Sequence, residues 1–146
     1  MFRNMKDKSV SNNSNLISLT YKEENPSLAN FLISSYGNDY IKTNQKKFNL
    51  PICILGKTFY NFKIENILDL NIDILNNLLS EYIKIYNEKA EVILIGLTEK
   101  ISKSLLELKN DCYNQQIPID IMSLGAACRT INILNTENRK VIIILV

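Results

Sequence analysis

The stretch that decides the fold lies in the last third of the chain. It reads Ile117-Pro-Ile-Asp-Ile-Met122, then Ser123-Leu-Gly-Ala-Ala-Cys-Arg-Thr-Ile-Asn-Ile-Leu134, then Asn135-Thr-Glu-Asn-Arg139 and a last apolar run to Val146. Ala127, Ile131 and Leu134 recur at helical spacing, whereas the β-branched run that closes the chain favours a strand. The pattern predicts a helix between two buried strands, and several small and polar residues lie at the N-terminus of this helix.

The same alternation extends back through the second half of the chain. Apolar residues over 74–83 follow helical spacing after Asn71, a predicted N-cap, and a second helical pattern covers 101–112 after Thr98, its predicted cap. Between them Glu91-Val-Ile-Leu-Ile95 is typical of a strand covered on both faces and ends at Gly96. Strands that alternate with helices predict an α/β fold with a largely parallel sheet.

The first half has a different pattern. Short β-like segments at 31–33, 40–43 and 51–55 are separated by turn residues, which predicts an N-terminal region of antiparallel hairpins. Residues 1–25 are polar and end at Asn25-Pro26, a pair that favours a turn. We therefore expect a flexible N-terminal tail over 1–25 and a single α/β domain over 26–146.

Composition excludes several kinds of chemistry. The 146 residues contain no histidine, which excludes Ser-His-Asp and Cys-His catalysis and histidine-ligated metals. The net charge of +2 is spread among nearly equal numbers of acids and bases, so no nucleic-acid partner is expected. Three widely spaced cysteines and no secretory signal favour a reducing, cytoplasmic location. No cofactor and no metal are expected.

Two short loops are candidates for a ligand site. Gly96-Leu97-Thr98 follows one predicted strand and Ser123-Leu124-Gly125 the next. The carboxyl ends of parallel strands meet at one edge of a sheet, where the free N–H groups of helix N-termini favour anions. The loops therefore predict either a small-ligand or anion site that includes Gly96, Thr98 and Gly125, or two purely structural turns.

The helix after the second loop carries the remaining candidates, which are Cys128, Arg129 and Asn132, with Arg139 before the last strand. A thiol in the first turn of a helix beside an arginine can have a lowered pKa, whereas a buried cysteine is an inert core residue. Arg139 would either contact a partner or ligand, or brace the turn through Glu137 or the helix carbonyls. For Cys128 and for Arg139 the sequence is compatible with both alternatives.

These residues resemble a known family. Met122-Ser-Leu-Gly-Ala-Ala-Cys-Arg-Thr-Ile-Asn132, with Leu134, Glu137, Arg139 and a terminal apolar strand, is similar to the signature of the small α/β domain family that contains the mitochondrial respiratory complex I assembly factor three. The resemblance implies a three-layer α/β/α arrangement with a mixed sheet and additional strands. Departures include Ser123-Leu124 where the family often has Asp-Thr, and Asn138 where it has glycine.

The resemblance also implies a function. It predicts a non-catalytic assembly or interaction factor whose partners are respiratory complex I subunits or assembly proteins, and it leaves peripheral association with the inner membrane open. In a eukaryote the expected location would be the mitochondrion. The alternative is a binder of small molecules or anions, or a thiol-dependent enzyme, that uses the Gly96/Gly125 edge. The sequence leaves the oligomeric state undetermined.

Overall fold

The computed structural model describes residues 18–21, 31–64 and 67–146. The strands are β1 (Ser18–Tyr21), β2 (Ile33–Gly37), β3 (Tyr40–Thr43), β4 (Lys47–Asn49), β5 (Ile52–Leu55), β6 (Thr58–Lys63), β7 (Val92–Leu97), β8 (Ile119–Ser123) and β9 (Val141–Leu145). The helices are α1 (Ile72–Tyr86), α2 (Lys103–Asn114) and α3 (Leu124–Thr136). A 3-10 helix at Ile67–Asp69 lies directly before α1.

Two sheets confirm the predicted α/β class. The larger has the order β1-β6-β5-β9-β7-β8, in which β7 pairs in parallel with β9 and β8. Its other neighbours pair antiparallel, so the sheet is mixed: strands from the first half of the chain fill one side of it, and the parallel part is limited to the β7–β8 and β7–β9 pairs instead of extending over most of the sheet as predicted. The smaller sheet, β2-β3-β4, is antiparallel throughout and contains the first two segments of the predicted hairpin region, whereas the third, at 51–55, is β5 of the large sheet.

The large sheet is the middle of three layers. Helices α1 and α2 pack on one face around Ile142 and Ile144, and α3 packs with the small sheet on the other face around Ile143 and Leu145. Every residue of β9 is buried, as expected for an apolar strand covered on both sides. Successive side chains of β9 therefore pack alternately into the apolar core on one face of the sheet and the apolar core on the other.

The helix starts test the predicted caps. Asn71 is confirmed, since its side chain accepts a hydrogen bond from the Ile74 N–H at 3.0 Å. Thr98 is wrong as the cap of α2: the cap is Ser102, which accepts from Leu105 N–H. The Thr98 N–H instead donates to the Val146 carbonyl at 2.8 Å. This hydrogen bond continues the strand pairing one residue beyond β7, so the helix begins only at Lys103.

Part of the segment predicted as a tail is a strand. Residues 18–21 form β1 and pair with β6 from Ser18 opposite Lys63 to Tyr21 opposite Tyr60, so the prediction of a flexible tail over 1–25 does not hold for them. The rest of that segment and the predicted domain start at residue 26 lie outside the described residues. Among the helices of the described part, none is long and apolar enough to cross a membrane.

Candidate functional site

A cleft opens at the carboxyl ends of β7 and β8, where the two loops were expected to meet. Its volume is about 320 Å³. We call it the strand-end cleft; its lining residues are Tyr36, Gly37, Asn38, Leu97, Thr98, Ser123, Leu124, Gly125, Ala126 and Arg129. The predicted residues Thr98, Gly125 and Arg129 thus lie around one cavity, with the β2–β3 turn forming its other wall.

The start of α3 shapes the floor of this cleft. The helix begins directly after β8, and the Ser123 side chain caps it by accepting from Ala126 N–H at 3.3 Å. A Cβ added to Gly125 would lie 2.5 Å from the Tyr36 hydroxyl oxygen. Glycine is therefore required for Tyr36 to lie against the first turn of α3.

Arg129 supplies the positive charge at the cleft. Its side chain is exposed, and among the described residues no carboxylate forms an ion pair with it. The guanidinium lies near the first turn of α3, 3.7 Å from the position of a Gly125 Cβ. Because a helix N-terminus also carries partial positive charge, both features favour an anionic group in the cleft.

A larger cavity of about 570 Å³ adjoins the cleft and shares Asn38, Leu97 and Thr98 with it. We call it the apolar groove. Most of its lining is apolar, and its remaining lining residues are Asp39, Leu50, Pro51, Ile64, Ile67, Leu68, Glu99, Lys100, Ser102, Leu105 and Val146. Leu68 is 51% exposed at its rim. Cleft and groove together form a continuous depression along the carboxyl edge of the sheet.

Gly96 belongs to the core and not to a ligand loop, which corrects the sequence-based interpretation. It lies within β7, paired with Met122 and Leu145. A Cβ on Gly96 would lie 2.6 Å from the Cβ of Ala127 and 2.8 Å from a methyl carbon of Leu145. Glycine at this position therefore lets α3 approach the sheet.

Cys128 is also a core residue. It is buried on the inner side of α3, and burial raises the pKa of its thiol to about 11, although the Arg129 charge acts in the opposite direction. Of the two alternatives for Cys128, the structure therefore favours the inert core residue over the reactive thiol, because desolvation outweighs the effect of Arg129 on the pKa. Cys53 and Cys112 are buried too, with the pKa of each raised by burial, as expected for core cysteines.

Asn132 and Arg139 act as braces. The Asn132 amide accepts from the Ile33 N–H at 2.8 Å and donates to the Ile33 carbonyl at 3.0 Å, which fixes β2 against α3. Arg139 lies at the opposite end of the sheet from the cleft. Its guanidinium binds Glu91 and lies 3.6 Å from Glu137, so the predicted Glu137 brace is present and Glu91 was missed.

Sequence reasoning missed the residues of the opposing walls. Tyr36 and Asn38 were assigned only to a turn, and Leu68 to no element. Tyr36 and Gly37 are the last residues of β2 and not turn residues, and the available signal was an aromatic residue followed by glycine directly before the Asn38-Asp39 turn. Within the described ranges, no cluster of three or more histidine, cysteine, aspartate or glutamate side chains could hold a metal ion.

Fold and cleft define a three-layer α/β domain with a small antiparallel sheet added to one face. The family model described as "Protein of unknown function (DUF498/DUF598)" matches residues 33–146, and the chain belongs to this family. No curated protein matches the sequence.

Solved structures give the same fold. A Bordetella parapertussis protein is 25% identical, with 83% of this chain and 98% of that one covered and a TM-score of 0.57. A protein described as an outer membrane protein from Bartonella henselae is 27% identical over 82% and 95% of the two chains, also with a TM-score of 0.57. A Bordetella pertussis protein described as a Mth938-like domain, 21% identical over 84% and 89%, shares the fold at the same score.

Proposed function

We propose that this protein is a non-catalytic interaction factor that binds a protein partner through the apolar groove. The groove is the observation that carries the proposal: its apolar lining and the half-exposed Leu68 suit an apolar side chain of a partner, and Asp39, Glu99 and Lys100 provide a charged rim. An apolar centre with a polar rim is the usual anatomy of a protein interface. Among the described residues lining the groove, we identify no nucleophile paired with a base.

The partner we propose is a subunit or assembly protein of respiratory complex I, or of another membrane complex. The support is the resemblance of residues 122–132, Glu137 and Arg139 to the family of assembly factor three. The protein would act in a reducing compartment at the membrane surface, in keeping with its three free cysteines.

A complementation experiment tests this role. The gene is deleted in its own host, and complex I assembly is followed on native gels after re-expression of the wild type, Leu68→Glu or Ile83→Glu. Leu68→Glu places a charge in the groove and should leave assembly defective; Ile83→Glu changes an exposed residue of α1 and should restore it. Intact assembly of every membrane complex after deletion, or full rescue by Leu68→Glu, would contradict the proposal.

The strand-end cleft favours a second candidate, a binder of small anions. Its support is the exposed Arg129 beside the first turn of α3, with Thr98 and the Tyr36 hydroxyl on the facing walls. The buried Cys128 does not favour the thiol-dependent alternative. Thermal unfolding with phosphate, nucleotides and dicarboxylates tests the candidate: stabilisation that disappears in Arg129→Ala would support it, and no stabilisation by any of these anions would contradict it.

A further inference from the structure

The outer edge of β8 has no partner strand among the described residues, since β8 is the last strand of the six-stranded order. The pairing register of β8 with β7 determines which of its backbone N–H and C=O groups point outward. The Ile93 N–H donates to the Pro118 carbonyl, and Ile93 is paired with Ile119. In a parallel ladder this directs the groups of Asp120 toward β7 and leaves the N–H and C=O of Ile119 and Ile121 pointing outward.

Helix α2 brings apolar side chains to this edge. Ser104, Glu107 and Asp111 line a cavity shared with the start of α1, so they mark the side of α2 that faces α1. At 3.6 residues per turn, Leu106 and Tyr113 lie on the opposite side, above β8. Leu106 is 54% exposed and Tyr113 is 80% exposed.

Helix α3 does the same on the other face of the sheet. The Thr130 hydroxyl lies 3.6 Å from the Met122 sulfur, which marks the side of α3 next to β8, whereas Asn132 binds β2 on the far side. Ile133 lies one turn along from Thr130 on the β8 side and is 58% exposed. Both helical layers therefore present large apolar side chains at the edge where the backbone is unpaired.

From these observations we infer that β8 is the interface of a homodimer, in which two copies of the chain pair their β8 strands antiparallel about a two-fold axis at Ile121. The axis falls at the midpoint of the five-residue strand. The Ile121 groups of the two copies exchange both hydrogen bonds, and the Ser123 N–H of each donates to the Ile119 carbonyl of the other. The two sheets then become one continuous sheet.

The charge pattern of β8 favours a second copy of this chain as the partner at its outer edge. Asp120 is the one charged residue of the strand. With the axis at Ile121, Asp120 lies opposite Met122 of the other copy, so no like charges face each other across the pair. Strand β9 shows that a strand of this sheet can pair in parallel on one side and antiparallel on the other.

The helices complete the interface. A single five-residue strand pair buries far less than the roughly 800 Å² per partner of a standard stable interface. An axis at β8 brings α2 beside α2 and α3 beside α3, so that Leu106 and Tyr113 on one face, and Ile133 on the other, are covered by their own counterparts. This self-complementarity is what an isologous dimer requires.

Sedimentation of the full chain from micromolar to submillimolar concentration tests the dimer, and a matched pair of variants tests its register. Met122→Glu and Met122→Lys lose the same side chain but place opposite charges across from Asp120 of the other copy. We expect the wild type to dimerise with a micromolar Kd, and Met122→Glu to dimerise at least about tenfold more weakly than Met122→Lys. The double variant Asp120→Lys with Met122→Glu should restore dimerisation.

A helix variant covers the case in which changes at Met122 disturb folding. Tyr113→Glu should weaken the dimer, and the control Ile83→Glu, at an exposed position of α1, should not. A monomer at every concentration would overturn the inference, and so would a dimer indifferent to the charge at Met122 and to Tyr113→Glu. Slow hydrogen exchange of the Ile119 and Ile121 amides in a monomer would also overturn it, because another part of the same chain would then cover the edge.

Discussion

The two ends of the six-stranded sheet use charged residues in different ways. At the amino end of β7 and β9, Arg139 binds Glu91 and lies near Glu137, and Lys140 lies 3.7 Å from Glu88. At the carboxyl end Arg129 has no carboxylate partner among the described residues, and it borders the strand-end cleft. The paired charges at the amino end stabilise the fold, whereas a cationic side chain that no carboxylate of the described residues binds remains available at the cleft for an anionic ligand.

The carboxyl end itself combines two kinds of residue that look alike in the sequence. Gly96 and Gly125 both follow or end an apolar run, yet Gly96 is enclosed by the side chains of Ala127 and Leu145, and Gly125 faces a half-exposed tyrosine. Only the second glycine is at the cleft. Substitutions should therefore distinguish the residues that brace the fold from those available to a ligand or partner.

The largest effect is expected for Gly96→Ala. The new methyl group would lie 2.6 Å from the Ala127 Cβ, which cannot rotate away, so the free energy of unfolding should fall by about 3 kcal/mol. Gly125→Ala is the matched control, because Tyr36 can move and alanine favours a helix; its effect should stay within about 1 kcal/mol. Urea denaturation measures both. Equal losses in the two variants would show that α3 is not held closely against β7.

Asn132→Ala should cause the second largest loss in the free energy of unfolding. It removes both hydrogen bonds to the Ile33 backbone at a partly buried position, so the free energy of unfolding should fall by about 2 kcal/mol. Hydrogen exchange of the Ile33 amide should become faster. Thr136→Ala is the control, since its exposed hydroxyl bonds only to the Asn132 carbonyl one turn earlier in the same helix. An unchanged exchange rate at Ile33 would mean that Asn132 does not hold β2.

A smaller, pH-dependent effect on the melting temperature is expected for Arg139→Gln at the amino end of β7 and β9. The hydrogen bond from Arg139 is the main cause that lowers the pKa of Glu91 below its ordinary value of 4.5. A lowered folded pKa stabilises the protein above the unfolded pKa, and this contribution is lost as the pH falls through the folded value. The difference in melting temperature between wild type and Arg139→Gln should therefore be present at neutral pH and shrink in acid.

High salt gives an independent measurement of the same ion pair. Because both side chains are exposed, added salt should reduce the difference at neutral pH. A difference that is constant from neutral to acid pH would show that Arg139 acts through packing rather than through the charge of Glu91.

The smallest stability effect is expected for Arg129→Ala. With no carboxylate partner among the described residues, the exposed side chain should contribute less than about 0.5 kcal/mol to the free energy of unfolding. A loss of about 2 kcal/mol would place Arg129 with the braces and remove the contrast between the two ends of the sheet. Thermal and chemical denaturation of the variant without added anion measure this.

Much of the fold could be predicted because its signals are local. The periodicity of β7, α3 and β9 lies within short windows, and the Asn71 cap is set by its own turn. The end of α3 is also local: Asn138 has φ of 57°, in the left-handed region where glycine is favoured and asparagine is tolerated. This explains how asparagine can stand where the resembled family has glycine.

The site was harder to predict because its contacts are distant in sequence. Asn132 meets Ile33 across 99 positions, and Arg139 meets Glu91 across 48, so neither partner is visible in a local pattern. Thr98 was given the wrong role because sheet pairing to Val146 competes with helix capping. The predicted residues were therefore a mixture of braces and cleft residues, which only the three-dimensional arrangement separates.

The central position of β9 bears on how the protein folds during synthesis. Among the described strands, β9 is the one that pairs with both the β5–β6 and the β7–β8 parts of the large sheet, because it lies between them. A ribosome makes β9 after the other described strands of the sheet, so the edges of β5 and β7 that face β9 stay unpaired until residues 141–145 leave the exit tunnel. Such late, long-range pairing slows folding and leaves strand edges open to aggregation. We expect the large sheet to form only once residues 141–145 have left the ribosome, because β9 joins its two parts.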